Sequence, residues 1–220
     1  MKKPLKIYLC DLTYDTIIFV SDTIPINIGF ISSFLKKKLG EKVSIELFKY
    51  PNELLKKIKN DPPDILGLSN YSWNSNLSEY FAKLTKKLNP NCITLQGGTN
   101  FPHTGEEQKK FLLNRPNTDL YVLFEGERST LKVVERYLDK QNNLESFFEE
   151  PLDGCTFVHP ETRKTKNPKL VTGKYLERIK DLDEIPSPYL NGTLDKFFDG
   201  KLTPFIETNR GCPFTCSFCH

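Results

Sequence analysis

The chain has 220 residues with 31 Lys+Arg against 28 Asp+Glu, a formal charge of +3, which is room for one large domain or one domain and part of another. Three excess positive charges are too few for a phosphate-gripping surface, and no apolar stretch approaches the roughly 20 residues that span a bilayer, so neither nucleic acid nor a membrane is an expected partner. Met1-Lys2-Lys3-Pro4 precedes an apolar run at 5–12 that Lys6 and Asp11 interrupt and that lacks a small-residue cleavage site; it reads as a first strand and not as a signal peptide, and a cytoplasmic location is expected.

In chain order, the run at 5–12 is followed by 27–39, where Ile28, Ile31, Phe34, Leu35 and Leu39 fall at helical spacing before Gly40. Its lysines, like those of the later helices, belong to a solvated face. Val43–Phe48 alternates as a half-buried strand, 52–59 is a short helix, Ile65–Ser69 a strand and Ser75–Leu88 a helix. A strand at 92–96, a helix at 104–113, a strand at 120–124 and a helix at 128–138 close the series. Five strands alternating with five helices predict an α/β fold, a flavodoxin- or Rossmann-like doubly wound, parallel five-stranded sheet in the order 2-1-3-4-5. Residues 1–140 form this domain and are expected to fold alone.

Residues 141–200 read as a hairpin (152–158 with 170–171) and a linker, where Pro186 and Pro188 exclude a continuous helix. Residues 201–208 read as a new strand.

Ligands of doubly wound sheets sit beyond the carboxyl ends of the strands, at the reversal of strand order. There the sequence places the loop 13–26, then Ser69-Asn70-Tyr71, then Gly97-Gly98, then Glu125-Gly126-Glu127. Paired glycines let a large ligand approach backbone closely. Tight strand-to-helix turns alone account for any one of these loops, but four polar, glycine-bearing or aromatic loops on one edge favour a ligand site. Gly98 is expected to lie past the strand end, outside the core.

The six cysteines are unevenly spread: Cys10, Cys92 and Cys155 are isolated, while Cys212, Cys216 and Cys219 crowd the last nine residues. A local cluster in an intracellular chain points to metal and not to disulfides. Three thiolates on one short loop suit a [4Fe–4S] cube with an open fourth iron. A zinc site using His220 as a fourth ligand is the alternative, weakened because adjacent Cys219 and His220 do not easily point at one ion.

The spacing Cys212-Pro213-Phe214-Thr215-Cys216-Ser217-Phe218-Cys219, entered from Thr208-Asn209-Arg210-Gly211, resembles the motif of the radical S-adenosylmethionine (SAM) enzymes. Pro25-Ile26-Asn27-Ile28-Gly29, Gly97-Gly98, Glu125-Gly126-Glu127 and the linker Leu182-Asp183-Glu184-Ile185-Pro186-Ser187-Pro188-Tyr189 extend the resemblance to radical SAM proteins with an N-terminal cobalamin-binding domain. The resemblance implies that Cys212, Cys216 and Cys219 anchor the cluster, that Phe218 covers the adenine of SAM, and that cobalamin lies on Ser69, Asn70 and Tyr71 with its nucleotide tail beside Gly97, Gly98, Glu125 and Gly126. It further implies SAM cleavage at the cluster with methyl transfer or related radical chemistry, a small-molecule substrate, and an electron donor such as flavodoxin or ferredoxin.

Two features depart from the family. Residues 201–220 amount to the first strand and cluster loop of an incomplete barrel, so the chain reads as a fragment not expected to turn over. The Asp-x-His-x-x-Gly motif that gives histidine to cobalt is absent, the histidines being His103, His159 and His220. Rival readings are a docking domain without cofactor, a zinc-binding interaction module, and a tRNA methylthiotransferase-like enzyme, for which Cys10, Cys92 and Cys155 make a poor second ligand set.

Overall fold

The computed structural model describes residues 3–15, 21–140, 143–211 and 214. Period-two alternation splits the first strand, β1 (Leu5–Cys10), between two cores. Leu5, Ile7 and Leu9 face one, while Tyr8 and Cys10 face the other. The chain continues through α1 (Ile26–Leu39), β2 (Val43–Phe48), α2 (Pro51–Asn60), β3 (Ile65–Ser69), α3 (Ser75–Leu88), β4 (Ile93–Gly97), α4 (Gly105–Leu113), β5 (Leu120–Val122) and α5 (Gly126–Asp139). Helices α1 and α5 cover the first face with Ile28, Leu35, Val133, Val134 and Tyr137. Helices α2 and α3 cover the second with Leu54, Ile58, Phe81 and Ala82.

A short helix, α6 (Leu144–Phe147), leads into β6 (Cys155–Val158) and β7 (Leu170–Thr172). The strand order is β2-β1-β3-β4-β5-β6-β7. The expected 2-1-3-4-5 order holds and the first five strands are parallel. The sheet has seven strands and not five, because the hairpin expected to stand apart pairs antiparallel onto β5. Its physical role is edge cover: a three-residue β5 would leave unpaired backbone groups open to solvent.

The division at 140 is not a division of the core. Phe147, Phe148, Leu152, Cys155 and Phe157 pack in the same cluster as β1 and α5, as do Leu194, Phe197 and Leu202 further on. Ile179 and Ile185 pack on Phe34 of α1. Residues 179–202 are thus a strap across α1 with only short 3-10 turns. The strand expected at 201–208 is absent: one bridge joins Thr203 to Thr23, and Pro204, lacking an N–H, follows at once. Among the described residues no helix is long and apolar enough to cross a membrane.

Candidate functional site

A cavity of about 560 Å³ opens at the carboxyl edge of the sheet, on the face covered by α1 and α5. Its floor is Leu9, Gly67, Leu95, Gly97 and Val122, drawn from four adjacent parallel strands. Asn27, Ile28 and Ile31 of α1 form one wall, and Gly126, Glu127 and Thr130 of α5 another. Ser69, Tyr71, Gly98, Thr99, Phe124 and Glu125 make the rim, and Phe205, Glu207 and Arg210 cross the mouth. The loops singled out in the sequence therefore do converge on one site, beside the strand-order reversal where such folds take ligands.

Of the expected contact residues, Ser69, Tyr71, Gly97, Gly98, Glu125 and Gly126 line the cavity. Asn70 does not. It is fully buried, and its amide Nδ2 donates to Asn100 O at 2.7 Å and to Tyr121 Oη at 3.1 Å. Asn70 staples the loops after β3 and β4 together and is a positioning residue. The Glu125 carboxylate is also committed, accepting the Ile179 N–H at 2.8 Å.

The three glycines differ in what requires them. At Gly98, φ is +126° and a Cβ would lie 2.8 Å from Asn70 O, so the chain itself demands glycine and the position is not free of the fold as expected. At Gly126 a Cβ would meet Ile31 Cδ1 at 2.6 Å, so the α1–α5 contact leaves little room there, and both residues line the cavity. At Gly97 a Cβ would lie 3.5 Å from Val122 Cβ, an ordinary contact. Nothing in the protein requires Gly97 to be bare, and its bareness keeps the floor open.

Beneath the rim lies a buried polar network that sequence reasoning missed. Lys49 Nζ pairs with Asp11 Oδ2 at 3.1 Å, with both side chains buried. Ser69 Oγ donates to Asp11 Oδ1 at 2.5 Å, and Asn74 Nδ2 donates to Ser69 Oγ at 2.8 Å. Asp11 and Lys49 each stand one residue past the end of an apolar strand, which was the available signal. Tyr71 stacks on Trp73 with ring centroids 4.6 Å apart. Burial, then the nearby Asp11 carboxylate, raises the Tyr71 phenol pKa.

Two motif segments meet at the mouth. Arg210 donates to Glu127 Oε1 at 2.6 Å and to Glu207 Oε2 at 3.1 Å, and its guanidinium lies 5.5 Å from the Phe30 ring centroid. The Glu127 side chain is 4% exposed and that of Arg210 14%. Gly211, the next residue, lines the cavity. Cys212, Cys216, Cys219 and Phe218 lie outside the described residues. Cys10, Cys92 and Cys155 are buried. Burial pushes the Cys155 thiol up to about 12 and raises the other two. Strands β1 and β6 have three strands between them, so these thiols do not converge and a methylthiotransferase-like second cluster is not supported.

The cavity suits a ligand with a broad apolar body and a polar fringe. Its floor is aliphatic and bare at Gly97, while hydroxyl, amide and carboxylate groups stand on the rim and walls. These residues fit a corrinoid, whose apolar parts the floor would meet and whose polar groups the rim and walls would meet.

No family model matches the chain. It is 31% identical over 164 residues to a 2-(S-pantetheinyl)-carbapenam-3-carboxylate methyltransferase of Streptantibioticus cattleyicolor, covering 71% of this chain and 22% of that protein. It is 29% identical over 163 residues to the cobalamin-dependent radical SAM methyltransferase TokK of Streptomyces tokunonensis, with the same coverage of 71% and 22%. Among solved structures, the cobalamin-dependent SAM radical enzyme OxsB, with aqua-cobalamin and SAM bound, superposes with a TM-score of 0.69 at 23% identity, covering 99% of this chain and 28% of that one. This likeness shows the fold. The chain spans about a fifth of the length of these curated relatives.

Proposed function

We propose that this chain, a relative of the cobalamin-dependent radical SAM methyltransferases matched over about 70% of its length, is the corrinoid-holding part of such an enzyme. In this reading the cavity takes cobalamin, and Cys212, Cys216 and Cys219 hold a [4Fe–4S] cluster where SAM binds, with Phe218 over its adenine. The observation that carries the reading is the floor at Gly97, kept bare where the protein's own packing tolerates a side chain.

When bound, these groups supply reductive SAM cleavage and methyl-transfer chemistry. The chain's own residues hold, orient and keep dry. Leu9, Leu95 and Val122 exclude water from the floor. Asp11, itself paired with Lys49, orients the Ser69 hydroxyl at the rim. Asn70 fixes the loop after β3 to the loop after β4 that carries Gly98. The Glu127–Arg210 pair holds the approach to the cysteine motif against the cavity wall. Among the described residues no histidine lines the cavity, and the residues that would hold the corrinoid in this reading are Ser69, Tyr71, Gly97 and Gly98. The reading calls for a low-potential donor such as flavodoxin or ferredoxin and for a small-molecule substrate.

The test is a titration of hydroxocobalamin into the full chain, followed by absorbance, together with iron analysis after anaerobic reconstitution. Wild type binds the corrinoid, and Gly97→Leu, which fills the floor without a forbidden φ, loses at least about tenfold in affinity. Cys216→Ala loses its iron. A wild type that binds no corrinoid leaves a cofactor-free docking domain, and a colourless, zinc-loaded protein replaces the iron–sulfur reading.

A further inference from the structure

We propose that Phe124 is a ligand-contacting, specificity-setting residue of the cavity, an aromatic ring held at the rim by a left-handed backbone where it would cover the flat nucleotide base of a cobalamin whose tail runs beside Gly97; this rests on the cobalamin reading of the cavity. Among the described residues Phe124 is the one non-glycine with positive φ, at +55°. A bulky residue there is a steric outlier, and glycine or asparagine occupies the same conformation at lower cost.

The conformation is imposed from both sides. Leu123 N donates to Gly154 O at 2.8 Å, Ser129 Oγ donates to Glu125 O at 3.1 Å, and the Glu125 carboxylate accepts the Ile179 N–H at 2.8 Å. Ile31 of α1 lies close over Gly126, where a Cβ would meet its Cδ1 at 2.6 Å. None of these ties uses the Phe124 ring, so the loop keeps its path whatever side chain stands at 124.

The ring does not repay its backbone strain by packing inside the chain. It is 76% exposed, and its aromatic neighbour is Tyr175, edge-on at 5.4 Å and itself largely exposed. Yet Phe124 lines the cavity, as does Tyr71, which stacks on Trp73 after β3. Strain that local packing does not offset is concentrated at ligand sites. An aromatic face suits a flat, apolar ligand surface and offers nothing to a small polar one.

Stability and binding therefore respond in opposite senses, which separates this role from a structural one. The experiment uses the full chain, with hydroxocobalamin titrated by absorbance and thermal unfolding recorded without ligand, for wild type, Phe124→Gly, Phe124→Asn and Phe124→Tyr. The Gly and Asn variants keep or raise the unfolding midpoint and lose about tenfold in affinity, whereas the Tyr variant keeps both. Equal affinity in wild type and Phe124→Gly removes the ring from the site and overturns the inference alone. A lowered midpoint in Phe124→Gly makes the ring a packing element and also overturns it. Failure of wild type to bind overturns the cobalamin reading, and this assignment with it.

Discussion

Replacing Lys49 with methionine tests the network that supports the cavity rim. The Lys49 side chain is fully buried, that of Asp11 is 9% exposed, and the charges stand 3.1 Å apart. At an effective dielectric near 20, attraction at this distance is about 5 kcal/mol, and taking both ions out of water costs several kcal/mol each. As a whole the pair thus nets little against two apolar side chains. Breaking it is different: Lys49→Met strands the Asp11 carboxylate with the Ser69 hydroxyl and no buried cation, and neither strand end can swing into solvent. The expected loss is about 3–5 kcal/mol, a large share of the 5–15 kcal/mol that holds a typical domain. Urea unfolding followed by far-UV circular dichroism measures it. The double variant Asp11→Leu/Lys49→Met should recover most of the loss. A single-variant loss below about 1 kcal/mol, the size found for exposed pairs, or a double variant no better than the single, would refute the reasoning.

Three further outcomes follow from the same geometry. Residues 1–140 alone lack the β6–β7 cover of β5 and the Phe147, Phe148, Leu152 and Phe157 side chains of the main core; calorimetry should find no cooperative transition, whereas residues 1–203 should show one. Glu127→Gln should free the strap at Arg210, because that segment, unlike Lys49, can move out to water. Tryptic cleavage after Arg210 should accelerate about tenfold with little change in the unfolding midpoint, and an unchanged cleavage rate would mean the pair holds nothing. The Asp61 carboxyl is held below its ordinary range, first by the hydrogen bond from Lys6, against a smaller opposing effect of burial. Its contribution is present above the ordinary aspartate value of about 3.9 and is lost as pH falls through the lowered folded one. Asp61→Asn should therefore flatten the acid limb of a stability profile below about pH 4, and parallel limbs in the two proteins would dismiss the pair.

Helix and strand placement was legible wherever one face is buried. Val43–Phe48, Ile65–Ser69 and Ser75–Leu88 were read to the residue because alternation or helical spacing carries each. The hairpin was visible as a local pattern, but its docking onto β5 was not, since edge pairing depends on which strand lies open in space. Residues 201–208 carry an extended, partly apolar pattern, yet Phe205 and Ile206 remain more than half exposed. A pattern of strand type makes a strand only where a neighbour offers a ladder, and Thr203 alone finds one, in Thr23.

The site was legible as an edge and illegible as a set of roles. Polar and glycine-rich loops at four strand ends announce a ligand edge because compact turns alone seldom need all four. The sequence cannot say whether a glycine serves the chain or the ligand, since the answer lies in atoms distant along it: Asn70 O for Gly98, Ile31 for Gly126, Val122 for Gly97. The same holds for charge. Asp11 and Lys49 are 38 residues apart, and Glu127 and Arg210 are 83 apart. Asp11 looked like an interruption of an apolar run until the sheet brought Lys49 alongside. The second pair joins the two motifs that the sequence offered separately, Glu125-Gly126-Glu127 and the approach to Cys212. Glu127 stands in the first turn of α5, on the cavity wall, and Arg210 stands two residues before the first cysteine of the motif. A carboxylate that is 4% exposed is costly to bury unless a cation stays beside it. The cavity wall and the approach to the cysteine motif are therefore tied by the Glu127–Arg210 ion pair, and a change that moves either one must move or break it.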